Sequence, residues 1–407
     1  MYHKLNMPNG LRVVTEYLPH IHSVSVGVWI KAGSRQETPI NTGVAHCIEH
    51  MLFKGTSTRS AKKIAEEIEA VGGQLNAFTS KEYTCYYARV LDTDFPLACT
   101  LLADILLNSR LDSSEIDKEK GVILEEIKMC DDNPEDLAHD LLAGIMLPDH
   151  PLGKPILGNE ETVRKIKRRD LARFMQDYYQ PDNTVIAVAG NIKPETVFSE
   201  TERNFGSWIG RTRVLPDLVP GITGHSYARQ KDVEQVHLCI GFPGVCREDD
   251  RRYTLAVLDL LLGGGVSSRL FQELREERGL VYSTYSSHSA YRECGIFSIY
   301  AGTSASNLNQ VLDLIRRNLR DVIRDPVGGD EIQRGKQQLR ANLLLSMEST
   351  STRMHRLAKN ELFYGRHISL EEIVDKINGI SERDIAVLAS ANFKENNLNT
   401  VILGPVS

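Results

Sequence analysis

The sequence predicts an α+β chain carrying two similar α/β-sandwich-like domains in tandem, and three observations predict it. Short strand-like runs alternate with longer helical runs. The same order of elements returns after a period of about 200 residues, far too long for a solenoid repeat. The composition of the 407 residues, 41% hydrophobic and 25% charged, allows a large core and does not favour disorder.

The elements of the first half follow in order. Asn9-Gly10 signals a turn, and Leu11 to Thr15 follows it as a strand. Ser23 to Ile30 alternates as a second strand. A helical pattern opens near Asn41-Thr42-Gly43 and carries His46 to Leu52. A second helix, Ala61 to Val71, stops at Gly72-Gly73. Gln74 to Thr79 and Tyr83 to Val90 read as strands. A long helix covers Phe95 to Asn108 with Asp94 as its expected N-cap, and another starts near Ser113-Ser114 and passes Glu126.

The second half repeats this order. Val236 to Phe242 is a strand, and Asp250 to Leu262 and Ser268 to Glu277 are helices, the latter stopping at Gly279. Tyr282 to Ser287 and Gly295 to Ala301 are strands, Leu308 to Ile323 is a long helix, and Glu331-Ile332 opens a helix as Glu115-Ile116 does. Two domains are therefore expected, residues 1–210 and 225–407, joined by a linker within 206–227 that holds Pro216 and Pro220.

The net charge of −6 gives no nucleic-acid footprint. The run Arg164, Lys165, Lys167, Arg168 and Arg169 reads as a solvated helix face. Gly263-Gly264-Gly265 lacks the Gly-Lys-Ser/Thr ending of a phosphate loop and reads as a turn. The cysteines at 47, 85, 99, 130, 239, 246 and 294 are scattered and form no C-x-x-C pair, so free thiols in a reducing compartment are expected. With no apolar run long enough to span a bilayer and no signal-peptide pattern, a cytoplasmic protein is expected, or the mature form of one from an organelle interior.

The chemistry concentrates in His46-Cys47-Ile48-Glu49-His50. On a helix, residues at i, i+3 and i+4 share a face, so two imidazoles one turn apart can hold one metal ion with Glu49 beside it. A hydrolytic zinc site needs a third protein ligand and a carboxylate to take a proton from water. Candidates for the third ligand lie on the helix from Ser114, where Glu119 and Glu126 are two turns apart on one face. The bland alternatives are an amphipathic helix with solvated histidines and an acidic helix face. In the same register the second half places Gly335 opposite Glu119 and Asn342 opposite Glu126, and has nothing like His46 and His50.

The stretches Gly43 to Thr56, Gly72 to Thr79 and Val122 to Ile127 together resemble the pitrilysin-type zinc peptidases with the inverted motif. The resemblance covers essentially the whole chain and lies with the branch of mitochondrial processing peptidase and its short bacterial relatives. It implies one Zn2+ per chain on His46, His50 and Glu126, Glu49 as general base, and Glu119 as a carboxylate that orients a ligand. Leu270 to Ser283 is similar to the family's metal-free half, which implies that Arg275 and Tyr282 reach the substrate and stabilise an oxyanion. Asn76, Ala77, Phe78 and Thr79 correspond to an edge strand that takes up substrate as an added strand.

The function this implies is a zinc endopeptidase acting on peptides or unfolded segments inside a cavity enclosed by four such domains. A homodimer, or a heterodimer with an inactive paralogue, would supply the four, in a cytoplasm or a mitochondrial matrix. Two rivals stand beside it. One is a non-catalytic assembly subunit like the core proteins of respiratory complexes; the other is a structural zinc site, which usually has four protein ligands.

Overall fold

The computed structural model describes residues 1–214, 221–222, 224–324 and 327–405. Pro216 and Pro220 of the expected linker lie outside the described residues. Helix and sheet are interleaved throughout, so the α+β class expected above holds.

The first unit comprises Met1–Lys128, Pro155–Pro216 and Ser346–Ile368. Its six strands are β1 (Tyr2–Asn6), β2 (Arg12–Tyr17), β3 (Ser23–Ile30), β4 (Gln74–Thr79), β5 (Thr84–Leu91) and β6 (Thr184–Gly190). They lie in the order β1-β2-β6-β3-β5-β4, so β4 is an edge. Only β2 and β6 pair in parallel among these strands. Alternation sends Val24, Val26, Val28 and Ile30 to one face of β3, where they meet the helices α1 (Val44–Leu52) and α3 (Phe95–Leu107). Between these two helices runs α2 (Ala61–Ala70), and α4 (Ser113–Asp132) follows α3.

The second unit comprises Met129–Lys154, Asp217–Leu345 and Ser369–Ser407. Its strands are β7 (Ser226–Gln230), β8 (Val236–Gly244), β9 (Val281–Ala290), β10 (Gly295–Thr303) and β11 (Asn399–Gly404), in the order β7-β11-β8-β10-β9. This is the order of the first sheet without β1. The duplication therefore extends to strand pairing, with β9 as the edge that matches β4.

Each unit borrows one helix from the other half of the chain. The helix Thr350–Lys359 covers the second face of the first sheet, where Met354 is fully buried and its sulfur lies 3.2 Å from Trp29 Nε1. The helix α5 (Pro134–Met146) covers the matching face of the second sheet with Leu142 and Met146. A glycine admits the methionine in both places. A Cβ on Gly27 would come within 2.6 Å of Met354 Sδ, and one on Gly241 within 2.5 Å of Met146 Sδ.

Asp94 takes the N-cap position of α3 as expected, but its side chain caps no backbone N–H: its carboxylate accepts from Thr93 Oγ1 at 3.0 Å, and Pro96 in the first turn has no N–H to offer. The basic run is a solvated face, with Arg164 and Lys165 paired one turn back to Glu160 and Glu161.

Candidate metal centre

The helix α1 is short, and its placement is set by burial. Val44, Ala45, Cys47, Ile48, Met51 and Leu52 are buried, which leaves His46, Glu49 and His50 on the remaining face. Burial of each large aliphatic side chain contributes about 1.5–3 kcal/mol. The start of α1 is unusual. Gly43 adopts φ 92, and a Cβ there would meet Leu157 O at 2.7 Å, so residue 43 must be glycine and cannot cap with a side chain. Glu37 does this from upstream. Its two carboxylate oxygens accept from Gly43 N at 2.9 Å and Ala45 N at 2.8 Å. Glu37 is buried, and that burial pushes its carboxyl up to about 8 against the pull of the amide hydrogen bonds.

His46 Nε2 and His50 Nε2 lie 3.3 Å apart, and each lies 3.6 Å from Glu126 Oε2. All three residues can offer ligand atoms within 4.8 Å of one another. Ligands on a tetrahedral zinc at about 2.0–2.2 Å stand about 3.3–3.6 Å apart, so this spacing fits. The donor set fits as well. His46 is held neutral, its pKa lowered to about 4 by burial first and by His50 second. Glu119 Oε2 lies 3.0 Å from His50 Nδ1, which places the proton of a neutral His50 on Nδ1. Two imidazole lone pairs and a carboxylate then converge, an arrangement that is repulsive without a cation among them. His46 Nδ1 is buried and has no hydrogen-bond partner among the described residues, so His50 has an outer partner that His46 lacks.

The remaining acids differ in setting. Glu126 is the most accessible member of a half-buried trio, its side chain 36% exposed. Glu119 is nearly buried, between His50 and Lys54 Nζ at 2.7 Å. Glu49 Oε2 accepts from Thr79 Oγ1 at 2.6 Å, and burial raises its pKa. Glu125 is exposed and paired with Lys128.

Thr79 closes β4 and so connects that strand to Glu49. Along β4, Leu75 and Ala77 face the core of α1 and α3, whereas Phe78 turns to the other face, 5.7 Å from Trp29 and 5.8 Å from His355. Asn76 is exposed. In the second unit Arg275 lies in a π-helical turn, over the Phe271 ring at 4.9 Å, and is exposed. Tyr282 lies at the start of the edge strand β9 and is 74% exposed.

Two residues, Glu37 and Lys54, and one contact, that of Thr79 with Glu49, escaped sequence reading. Glu37 acts across a loop, so no helical spacing betrays it. The contact of Thr79 with Glu49 needs the sheet in place. Lys54 alone left a signal, standing one turn beyond His50.

Residues 12–160 match the family described as insulinase (peptidase family M16), and residues 165–339 match the peptidase M16 inactive domain. The uncharacterized zinc protease YmxG of Bacillus subtilis is 45% identical over 97% of this chain and 96% of its own. This chain belongs to peptidase family M16. An uncharacterized zinc protease of Streptomyces coelicolor is 42% identical over 95% of this chain and 86% of its own. The crystal structure of a protease from Helicobacter pylori has the same fold, with a TM-score of 0.92 at 23% identity, covering 100% of this chain and 99% of that one. The M16 chain is a zinc metallopeptidase of the short bacterial type, and His46, His50 and Glu126 form a group that can hold its metal. No helix among the described residues is long and apolar enough to cross a membrane.

Proposed function

We propose that this M16 peptidase is an endopeptidase in which His46, His50 and Glu126 hold the zinc and Glu49 is the general base. The observation that carries this reading is the convergence of three ligand atoms beside one further half-buried carboxylate, that of Glu49. Bound zinc supplies a Lewis acid that brings the pKa of water to about 7 and polarises a carbonyl. Glu49 takes the proton of the attacking water as oxygen bonds to the carbonyl carbon. The same carboxyl then gives that proton to the departing amine as the C–N bond breaks. Its raised pKa suits this two-way role, and the Thr79 hydroxyl holds its orientation. Glu119 orients His50 through Nδ1.

The substrate is a peptide or unfolded segment laid along β4 as an added strand, over Asn76, Ala77, Phe78 and Thr79. The edge position of β4 supports this, because its outer backbone groups have no strand to pair with in the sheet. Thr79 at the end of that strand leads the peptide towards Glu49. Arg275 and Tyr282 are the residues that stabilise the oxyanion, and their exposure supports such a role. Two units per chain are half of a four-unit enclosure, so the working form is a dimer around a cavity. The cysteines form no disulfide among the described residues, which supports a reducing compartment, the cytoplasm.

Changing Glu49→Gln tests the mechanism. Zinc content should stay at one per chain while hydrolysis of a peptide library falls by about 10²–10⁴. Peptidase activity retained in the zinc-loaded variant would sink the general-base assignment.

A further inference from the structure

Glu119 has two partners, and only one of them is a candidate ligand. Its Oε2 lies 3.0 Å from His50 Nδ1, and its Oε1 lies 2.7 Å from Lys54 Nζ. The Glu119 side chain is 7% exposed and that of Lys54 is 32% exposed. A carboxylate so nearly buried depends on both oxygens being engaged by donors. The lysine stands two residues beyond the end of α1, past Phe53, and reaches back alongside the helix to α4.

The second unit shows what the fold requires at these places. There the helices Arg251–Leu262 and Gly329–Ser346 are the counterparts of α1 and α4. A Cβ on Gly335 would meet Leu261 Cδ2 at 3.1 Å and Val257 Cγ1 at 3.3 Å. Equal steps along both helices set Val257 and Leu261 in the places of His46 and His50 and Gly335 in that of Glu119, and the run Gly263-Gly264-Gly265 follows the helix where Phe53 and Lys54 follow α1. The same helix pair therefore packs without the lysine. Where the histidines and the glutamate are absent, the lysine is absent too.

We propose that Lys54 is a positioning residue of the metal site, holding the Glu119 carboxylate where it accepts the Nδ1–H of His50. It thereby sets which imidazole nitrogen faces His46 and Glu126. This rests on the reading of His50 as a zinc ligand. Lys54 Nζ meets the Glu119 carboxylate, so its effect on His50 passes through Glu119.

The test uses the purified full chain as wild type, Lys54→Met and Lys54→Arg. Zinc affinity is measured by competition with a chromophoric chelator, and the Co2+-loaded proteins are compared by visible absorption. Lys54→Met should weaken zinc binding by about 10-fold or more, the scale of losing an outer hydrogen-bonding partner, and should shift the Co2+ bands. Lys54→Arg should restore most of the affinity, because its guanidinium can meet the same carboxylate. Lys54→Gln is read in the same way if the Met variant does not fold. Wild-type affinity with an unchanged Co2+ spectrum in Lys54→Met overturns the proposal. A wild-type protein that binds neither metal overturns the ligand assignment itself, and this proposal with it.

Discussion

In the first unit, α1 presents two imidazoles and a carboxylate against the acids of α4. In the second, the matching helix pair closes hydrocarbon on hydrocarbon, Val257 and Leu261 on Gly335. The sheet order is the same beneath both. One scaffold thus serves two ends, and the difference rests on a few side chains at one helix contact. The metal-bearing contact is the costlier one, since it gathers like-charged and lone-pair groups, His46 and His50 only partly solvated at 12% and 16% exposure. A metal ion offsets that cost, and the second unit never incurs it.

The largest expected effect comes from erasing this difference. The double change His46→Val with His50→Leu gives the first unit the residues of the second. Zinc measured by mass spectrometry should drop from one per chain to none, and peptidase activity should disappear with it. In chelator-treated samples the variant should unfold at a urea concentration no lower than that of the wild type, because apolar packing replaces an unneutralised cluster. A marked loss of stability in the metal-free state would show that the histidines serve the core, and that the two contacts are not interchangeable.

Much of this contrast is legible in the sequence, for a physical reason in each case. His46, Glu49 and His50 lie on one helical face by period alone, and Glu119 and Glu126 share a face of α4 two turns apart. The duplication shows because the order of elements survives where residue identity has diverged. The exchange of covering helices between the halves is not legible. The periodicity of Pro134–Met146 says that the helix has an apolar face, but not which sheet receives it. Met146 finds its glycine at 241, far along the chain. Asp94 stands at the N-cap of α3 as the sequence suggests, but its side chain turns to Thr93 Oγ1 and caps no backbone N–H, a local choice that spacing does not reveal. Glu37 is invisible because capping boxes are read three residues apart, and its carboxylate arrives from outside that window.

That cap gives the next way to sharpen the comparison. The counterpart helix Arg251–Leu262 has Asp249 at its start, accepting from Arg251 N at 2.8 Å. The arginine side chain holds that carboxyl below its ordinary range, so its contribution is present at neutral pH and is lost in acid. Glu37 has the opposite sign. Its folded value of about 8 lies above the ordinary 4.5. Between these two values the native state keeps a proton that the unfolded chain has released, so stability falls as pH rises from about 4.5 to about 8 and then levels off. Glu37→Gln should remove that slope. Urea unfolding of the metal-free protein at several pH values across this window checks it, and parallel profiles for wild type and variant would refute it.

The smallest effect comes from a second pair of sites, one on each face covered by an exchanged helix. His139 on α5 has its Nε2 2.8 Å from the Tyr285 hydroxyl on the edge strand β9, and that hydroxyl also donates to Glu135 at 2.6 Å. His355 on Thr350–Lys359 also meets an aromatic ring of an edge strand, Phe78 of β4, which has no hydroxyl to offer. Ring separations are alike, 5.9 Å and 5.8 Å, and His355 Nε2 is left buried without a hydrogen-bond partner among the described residues. Phe78→Tyr should supply that partner and stabilise the first unit by about 1 kcal/mol. The interplanar angle decides whether it can. His139 and Tyr285 stack at 23°, whereas His355 and Phe78 meet at 67°, so the new ring must turn to bring its hydroxyl into line. An unchanged or lowered unfolding midpoint would mean that Trp29, packed against both rings, holds them in place. The orphaned nitrogen would then be the cost of an edge strand whose aromatic side chain is fixed from below.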